Sequence, residues 1–248
     1  MQPSWDIFEG KFLLCCTKYK ARHDEVVKEL SRVGICDYIT QWDVTDTPIK
    51  RILHRSITTG KLLSKIGHFS CCLSHYKAIK TAYELGCKSV LILEDDIRFR
   101  KDLSNIEEAI GLLPKDFDYA QFEIRKPQKM PTPEFVSMHT RNVVNKRWMR
   151  YQDLRGGGCY ALSRRGMEKM IQAIESDIVD SSVALKINDS YVARLSGINK
   201  YFCFPPIAVQ AISGEHNSPM MGYWEFLRQM GVGFSDYETE GTCNPFAD

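Results

Sequence analysis

Three adjacent carboxylates, Glu94-Asp95-Asp96, stand at the end of a short apolar run, Val90-Leu91-Ile92-Leu93. Crowded into a partly buried site they would repel one another, and each would resist ionising. A hard divalent cation relieves that repulsion, since Mg²⁺ and Mn²⁺ take carboxylate oxygen and are then shared with substrate phosphates. Side chains of an extended chain alternate, so Glu94 and Asp96 are expected on one side and Asp95 on the other. The competing reading is a solvated acidic turn that closes a strand. A second chemistry lies in Thr17-Lys18-Tyr19-Lys20-Ala21-Arg22, a cationic loop between an apolar run and a helix start. Such a loop can hold a phosphate, or its cations can simply solvate a turn. Gly156-Gly157-Gly158 precedes another apolar run, where glycine either lets backbone approach a ligand closely or makes a plain strand-entry turn. Neither a P-loop nor the dinucleotide G-x-G-x-x-G pattern is present there.

The elements that must carry these residues alternate between strand and helix. Residues 11–16 read as a first strand, and residues 23–33 as a helix with Val26, Val27 and Leu30 on one face, stopped by Gly34. Residues 38–44 form a second strand, and residues 50–65 a short helix with a loop around Thr58-Thr59-Gly60. Residues 69–85 read as a helix whose buried stripe is Cys72, Leu73, Tyr76, Ile79, Lys80 and Tyr83, with Gly86 as its cap. Ser74 and His75 lie on it, and a histidine in a packed helix is more often a hydrogen-bonded core residue than a ligand. Residues 104–113 are helical, capped by Ser104 or Asn105 and stopped by Pro114; residues 118–124 are a strand. Residues 125–150, with three prolines and Trp148, suggest a long loop over a site or partner. A strand over 159–162 leads into a helix reaching about residue 174. Asp177, Asp180 and Asp189 surround a further helix, which runs into Tyr191-Val192-Ala193. Residues 201–210 read as strand, Pro-Pro, strand; residues 212–218 as a polar loop; residues 219–248 as an irregular tail. In such open α/β arrangements ligands sit outside the carboxyl ends of the strands, where Glu94-Asp95-Asp96 would lie.

Composition narrows the function. The 248 residues, 44% hydrophobic, suffice for a sizeable core, as one large domain or two intimate ones. With 33 Lys and Arg against 31 acids, a net charge of +2 gives no electrostatic case for nucleic acid. The nine cysteines include no C-x-x-C pair and no histidine read as standing in metal-ligand spacing, so free, mostly buried thiols in a reducing cytosol are expected. No apolar run approaches the ~18 residues of a spanning helix, and MQPSWDIFEG lacks a signal peptide's basic and apolar regions. The sequence therefore reads as cytoplasmic, with peripheral docking on the inner membrane face left to its basic and aromatic residues.

Three ordered segments resemble glycosyltransferase family 25, which includes lipooligosaccharide galactosyltransferases and the galactosyltransferase domain of collagen-modifying enzymes. Gly67-His68-Phe69-Ser70-Cys71-Cys72-Leu73-Ser74-His75 is similar to that family's G-E-x-G-C-x-L-S-H block, with His68 where the family usually has Glu. Val90-Leu91-Ile92-Leu93-Glu94-Asp95-Asp96-Ile97 resembles its V-L-x-L-E-D-D-x block. Gly158 to Gly166 is similar to its G-x-x-A-Y-x-L-S-x-x-G block, and Pro205-Pro206-Ile207-Ala208-Val209-Gln210 to its terminal strand. The first strand lacks the family's usual Asn-Leu before its basic loop, which Lys18 and Arg22 match loosely.

The resemblance implies a GT-A-type fold, a Rossmann-like α/β/α sandwich with a mainly parallel central sheet. It implies a nucleotide-sugar and metal half over about residues 1–125 and an acceptor half over about 126–218. The implied reaction is inverting, metal-dependent transfer of a hexose, by analogy galactose from UDP-galactose, to a glycan or glycolipid acceptor, as in lipopolysaccharide assembly. Mn²⁺ or Mg²⁺ would rest on Asp96 with Glu94 or Asp95, and His216 is a further candidate ligand. The donor would meet Thr17, Lys18, Arg22, Asp43, Ser74, His75, Asp95, Gly157 and Gly158. For the general base the family's Val-Asp element has two competitors, Val179-Asp180 and Asn188-Asp189; Asp189 is favoured for its distance to the Pro-Pro-Ile strand. The alternative is a catalytically silent sugar-nucleotide-binding or scaffold protein of a glycan-assembly complex.

Overall fold

The computed structural model describes residues 3–43, 66–123, 142–150, 156–179, 188–210 and 236–237. Its centre is a seven-stranded sheet. Strands β1 (Gly10–Cys15), β2 (Ile39–Trp42) and β3 (Ser89–Glu94) run parallel, with β1 between the other two. The apolar run of the acidic stretch lies in β3, and its four residues are fully buried, as a strand covered on both faces requires. Beyond β3 lie β7 (Cys159–Ser163), β5 (Tyr119–Gln121), β8 (Lys200–Cys203) and β6 (Trp148–Arg150), in that spatial order. Strands β7 and β6 run against the other five. The short strands β4 (Ile97–Phe99) and β9 (Ala208–Gln210) pair antiparallel with each other in a separate ribbon.

Helices cover both faces. Helix α1 (Lys20–Arg32) and α3 (Leu103–Gly111) pack Val26, Leu30, Ile106 and Ile110 onto Leu13, Leu91 and Leu93. Helices α2 (Ile66–Glu84), α4 (Arg164–Val179) and α5 (Asn188–Arg194) cover the other face, against Phe12, Leu14, Val90 and Ile92. The alternation of Phe12 and Leu14 with Leu13 and Cys15 between the two cores is the period-2 pleat of a doubly covered strand. This is the Rossmann-like α/β/α sandwich of the GT-A type expected from the resemblance, with five of seven strands codirectional. No helix among the described residues is long and apolar enough to cross a membrane.

Several elements depart from the sequence reading. The basic stretch after β1 is wound, with a 3₁₀ turn at Thr17–Tyr19 leading straight into α1, because Lys, Ala and Arg are good helix formers. The cap of α3 is Asp102, whose extended backbone turns its carboxylate onto the Ser104 amide at 2.9 Å; Ser104 and Asn105 contribute side-chain hydrogen bonds to that same carboxylate. Trp148 is no loop residue. It is fully buried in edge strand β6, and its indole N–H donates to the Ala109 carbonyl at 2.8 Å. The buried stripe of α2 is displaced: Ser74, His75, Ala78 and Ala82 join Cys72, Leu73 and Ile79, while Tyr76 and Lys80 bond Glu175 on α4. From the tail, Tyr237 is fully buried and donates to the Pro206 carbonyl at 2.8 Å. The expected elements at residues 50–65 and the loop at 212–218 lie outside the described residues.

Candidate active site

Strand β3 delivers Glu94 and Asp95 to different neighbourhoods. The Glu94 amide donates to the Gly158 carbonyl at 2.8 Å, which ties the strand end to the entrance of β7. Its carboxylate is bracketed from two sides. Oε1 lies 3.0 Å from His75 Nε2, and Oε2 accepts from the Gln210 side-chain amide at 2.8 Å. A carboxylate accepts, so Nε2–H donates to Glu94, and the matching neutral tautomer accepts the Tyr160 hydroxyl at Nδ1, 2.8 Å away. His75 is fully buried and stacks on Tyr160, which stacks on Tyr119 at 5.2 Å. Cys71, one helical turn before His75, places Sγ 3.8 Å from Glu94 Oε1. Cys71 is exposed as a residue, while its thiol is desolvated by the protein around it. That desolvation, then the Glu94 charge, holds its thiol well above the usual range.

Asp95 turns toward β1. Its Oδ2 accepts the Cys16 backbone N–H at 3.0 Å, and Oδ1 lies 3.7 Å from the Arg22 guanidinium, itself 4.3 Å over the Tyr19 ring. Burial raises the Asp95 pKa, and the Cys16 amide and Arg22 offset that burial incompletely. The Thr17 amide donates to Asp43 Oδ1 at 2.9 Å, and the Asp43 amide donates to the Cys15 carbonyl at 2.8 Å. Next to Asp43, Trp42 stacks on His23 with ring centroids 5.3 Å apart and leaves 37% of its surface exposed. Asp96 is half-buried in the turn from β3 to β4, where the chain has left the extended form, so the strict alternation predicted from the sequence stops at Asp95.

The carboxyl ends of β1, β2 and β3 thus gather Thr17, Arg22, Asp43 and Asp95 on one flank and His75, Glu94 and Gly158 on the other. Gly157 lies half-buried at the entrance of β7. The hydroxyl of Ser74 donates within its own helix, to the Ser70 carbonyl at 2.9 Å. Lys18 and Asp189 are placed by their backbones, in the 3₁₀ turn and in α5; Asp180 and His216 lie outside the described residues. Sequence reasoning missed Tyr160, Gln210, Cys71 and Glu123. The last is 1% exposed, and its Oε2 would lie 2.1 Å from a β-carbon built on Gly158. Gln210 sat in view at the end of the Pro-Pro-Ile-Ala-Val-Gln segment, and Cys71 with His75 show the i, i+4 spacing of one helix face. Chemically the gathered set offers carboxylate oxygens for a hard cation beside the Arg22 guanidinium.

A Rossmann-like sheet with acids at the end of a central strand and a cationic turn after the first one marks a GT-A-type protein. The chain belongs to glycosyltransferase family 25 (LPS biosynthesis protein), whose model matches residues 41–184, more than half of it, and it is a glycosyltransferase of that family. Solved structures of similar outline include a mannosyltransferase from Pyrobaculum calidifontis in complex with GDP-Man and Mn²⁺. It shares 11% identity over 95% of this chain and 66% of its own, with a TM-score of 0.41. A glycosyltransferase involved in glycosylating the major capsid of PBCV-1 shares 11% over 89% and 99%, with a TM-score of 0.39. A mannose-1-phosphate geranyltransferase from Thermus thermophilus shares 12% over 78% and 73%, with a TM-score of 0.40. At these scores they carry no argument beyond the family match.

Proposed function

We propose that the chain is an inverting, metal-dependent hexosyltransferase that moves galactose from UDP-galactose to a hydroxyl of a glycan or glycolipid acceptor in lipopolysaccharide or other cell-surface glycan assembly. The observation behind this reading is the juxtaposition at the sheet's carboxyl edge. The acidic turn Glu94-Asp95-Asp96 meets the Cys16–Arg22 turn through the Cys16 amide and Arg22. The donor set fits a hard cation, because Glu94 and Asp96 are half-buried carboxylates that offer oxygen alone. These two residues, with His216, would hold Mn²⁺ or Mg²⁺, which when bound neutralises charge developing on the departing UDP.

The remaining roles belong to the chain itself. Thr17, Lys18 and Arg22 bind the diphosphate at the start of α1, where amides and cation favour an anion. Asp43 takes a ribose or base contact beside the exposed face of Trp42. Asp95 fixes Arg22 and the Cys16 amide for the donor, and Gly157 and Gly158 let backbone line the same cleft. His75 acts through Glu94, whose orientation it sets, and Ser74 keeps this part of α2 in place. Inversion requires a base on the acceptor side of the sugar within hydrogen-bond reach of the hydroxyl. Asp189 takes that role, with Asp180 as its competitor.

The test is calorimetric titration of UDP-galactose, UDP-glucose, UDP-N-acetylglucosamine and a GDP-sugar, each with and without Mn²⁺. Manganese-dependent binding of UDP-galactose, abolished in Asp96→Asn with an unchanged melting temperature, is the expected result. Binding of another donor corrects the sugar. Absence of binding to a folded protein refutes the transferase site and favours a silent scaffold.

A further inference from the structure

We propose that Cys71, His75 and Glu94 form a site for one thiophilic divalent cation, zinc above all. Cys71 and His75 are four residues apart on α2 and so share one helix face, and the end of β3 brings Glu94 up to both. The three donor atoms lie within 4.8 Å of one another. Tetrahedral zinc, with bonds of about 2.3 Å to sulfur and about 2.0 Å to nitrogen or oxygen, sets sulfur and oxygen about 3.5 Å apart and nitrogen and oxygen about 3.3 Å apart. The separations here are 3.8 Å from Sγ to Oε1 and 3.0 Å from Nε2 to Oε1, so each needs to change by about 0.3 Å.

The histidine is set for this role. The Tyr160 hydroxyl holds Nδ1 at 2.8 Å and the two rings stack, so Nε2 is the nitrogen turned toward Glu94. With its proton on Nδ1 and donated to the Tyr160 oxygen, the ring leaves Nε2 for the cation and has the outer hydrogen bond usual for a metal-bound imidazole. Cys71 is exposed, which gives the cation an entrance and leaves solvent the fourth position. A sulfur, nitrogen and oxygen set prefers zinc to the harder Mn²⁺ and Mg²⁺. On binding, His75 takes the tautomer with its proton on Nδ1, Nε2 gives its lone pair to the cation, and the Cys71 thiol proton passes to solvent. The site shares Glu94 with the acidic turn, yet its test needs no sugar donor and does not depend on the transferase reading.

Chelator-stripped, reduced protein is titrated with Co²⁺ and then Zn²⁺ while the near-ultraviolet sulfur-to-cobalt charge-transfer band is followed. One equivalent of Co²⁺ should raise the band, and Zn²⁺ should displace it. Cys71→Ser, a conservative change at an exposed position, should abolish the band and weaken zinc binding at least about tenfold. Cys36→Ser, exposed elsewhere, should change neither. A folded wild-type protein that gives no band overturns the proposal, as does a band that survives Cys71→Ser.

Discussion

An alanine at Gly158 probes how tightly the candidate site is wedged together. Its methyl carbon would lie 2.1 Å from Glu123 Oε2, 2.7 Å from Ile97 Cδ1 and 3.2 Å from Gln210 Cγ. None of these side chains can swing into water, since Glu123 is 1% exposed, Ile97 0% and Gln210 3%. The Glu123 carboxylate would have to retreat from 2.1 Å to the 3.4 Å at which ordinary contact begins. Overpacking of this kind costs about 1–3 kcal/mol, and the displacement of a buried carboxylate puts Gly158→Ala at the upper end. For a chain of this size each kcal/mol lowers Tm by about 2–4 °C, so a fall of roughly 6–12 °C is expected in a calorimetric melt. The effect also reaches the chemistry, because pushing Gln210 withdraws its amide from Glu94 Oε2, now 2.8 Å away. Gly111→Ala is the control: nothing lies within 4 Å of its added carbon, and Tm should stay level or rise. Gly166→Ala should cost more than Gly158→Ala, since its carbon would meet the Asp118 backbone carbonyl at 2.0 Å. A Gly158→Ala protein that melts with the wild type would show that the packing argument is wrong.

Three further outcomes follow from the same contacts. Tyr160→Phe removes the hydroxyl at His75 Nδ1 inside the core and should cost about 1–3 kcal/mol in denaturant unfolding; an unchanged midpoint would deny that bond any weight. Asp95, an acid with a raised pKa, makes the fold less stable as pH climbs from the ordinary carboxylate value of 3.8 through its folded value, because the native state holds the proton longer. The Tm of Asp95→Asn minus that of wild type should therefore grow with pH across that window, and a flat difference would contradict the assignment. Burial pushes the thiols of Cys15 and Cys72 up to about 12 and that of Cys203 up to about 11, so at pH 8 these buried groups should resist a disulfide reagent while exposed Cys36 reacts at once.

What the sequence made legible was local. Four apolar residues bounded by charge announce β3, and Gly34 and Gly86, both at φ 84°, end α1 and α2 where the pattern stops. The place of β7 had no such signal. Its residues read as a strand, but its insertion between β3 and β5, against both, is set by pairing across about seventy residues to β3 and about forty to β5. Trp148 was hidden for a related reason: the prolines upstream suggest loop, and the burial that makes β6 a strand comes from α3 and β8. The cap of α3 was misassigned because Asp102, Ser104 and Asn105 are all good capping types, and the extended backbone at Asp102 decides among them.

The acidic triplet shows the same division within three residues. Composition alone treats Glu94, Asp95 and Asp96 as one carboxylate cluster, and their mutual repulsion as the fact that a cation resolves. In the fold each acid meets a different environment. Glu94 is bracketed by His75 and Gln210, reached from α2 and from β9. Asp95 spans to the first turn through the Cys16 amide and Arg22. Asp96 sits beyond the strand, half-buried where the chain turns into β4. Much of the repulsion is therefore relieved by protein groups before any cation arrives, and the three residues are not interchangeable. Substitution at Glu94 disturbs the buried His75–Tyr160 pair and at Asp95 the cationic turn. Asp96→Asn keeps the size of the side chain and leaves both the His75–Glu94 and the Cys16–Asp95 contacts in place, so the binding experiment is built on it.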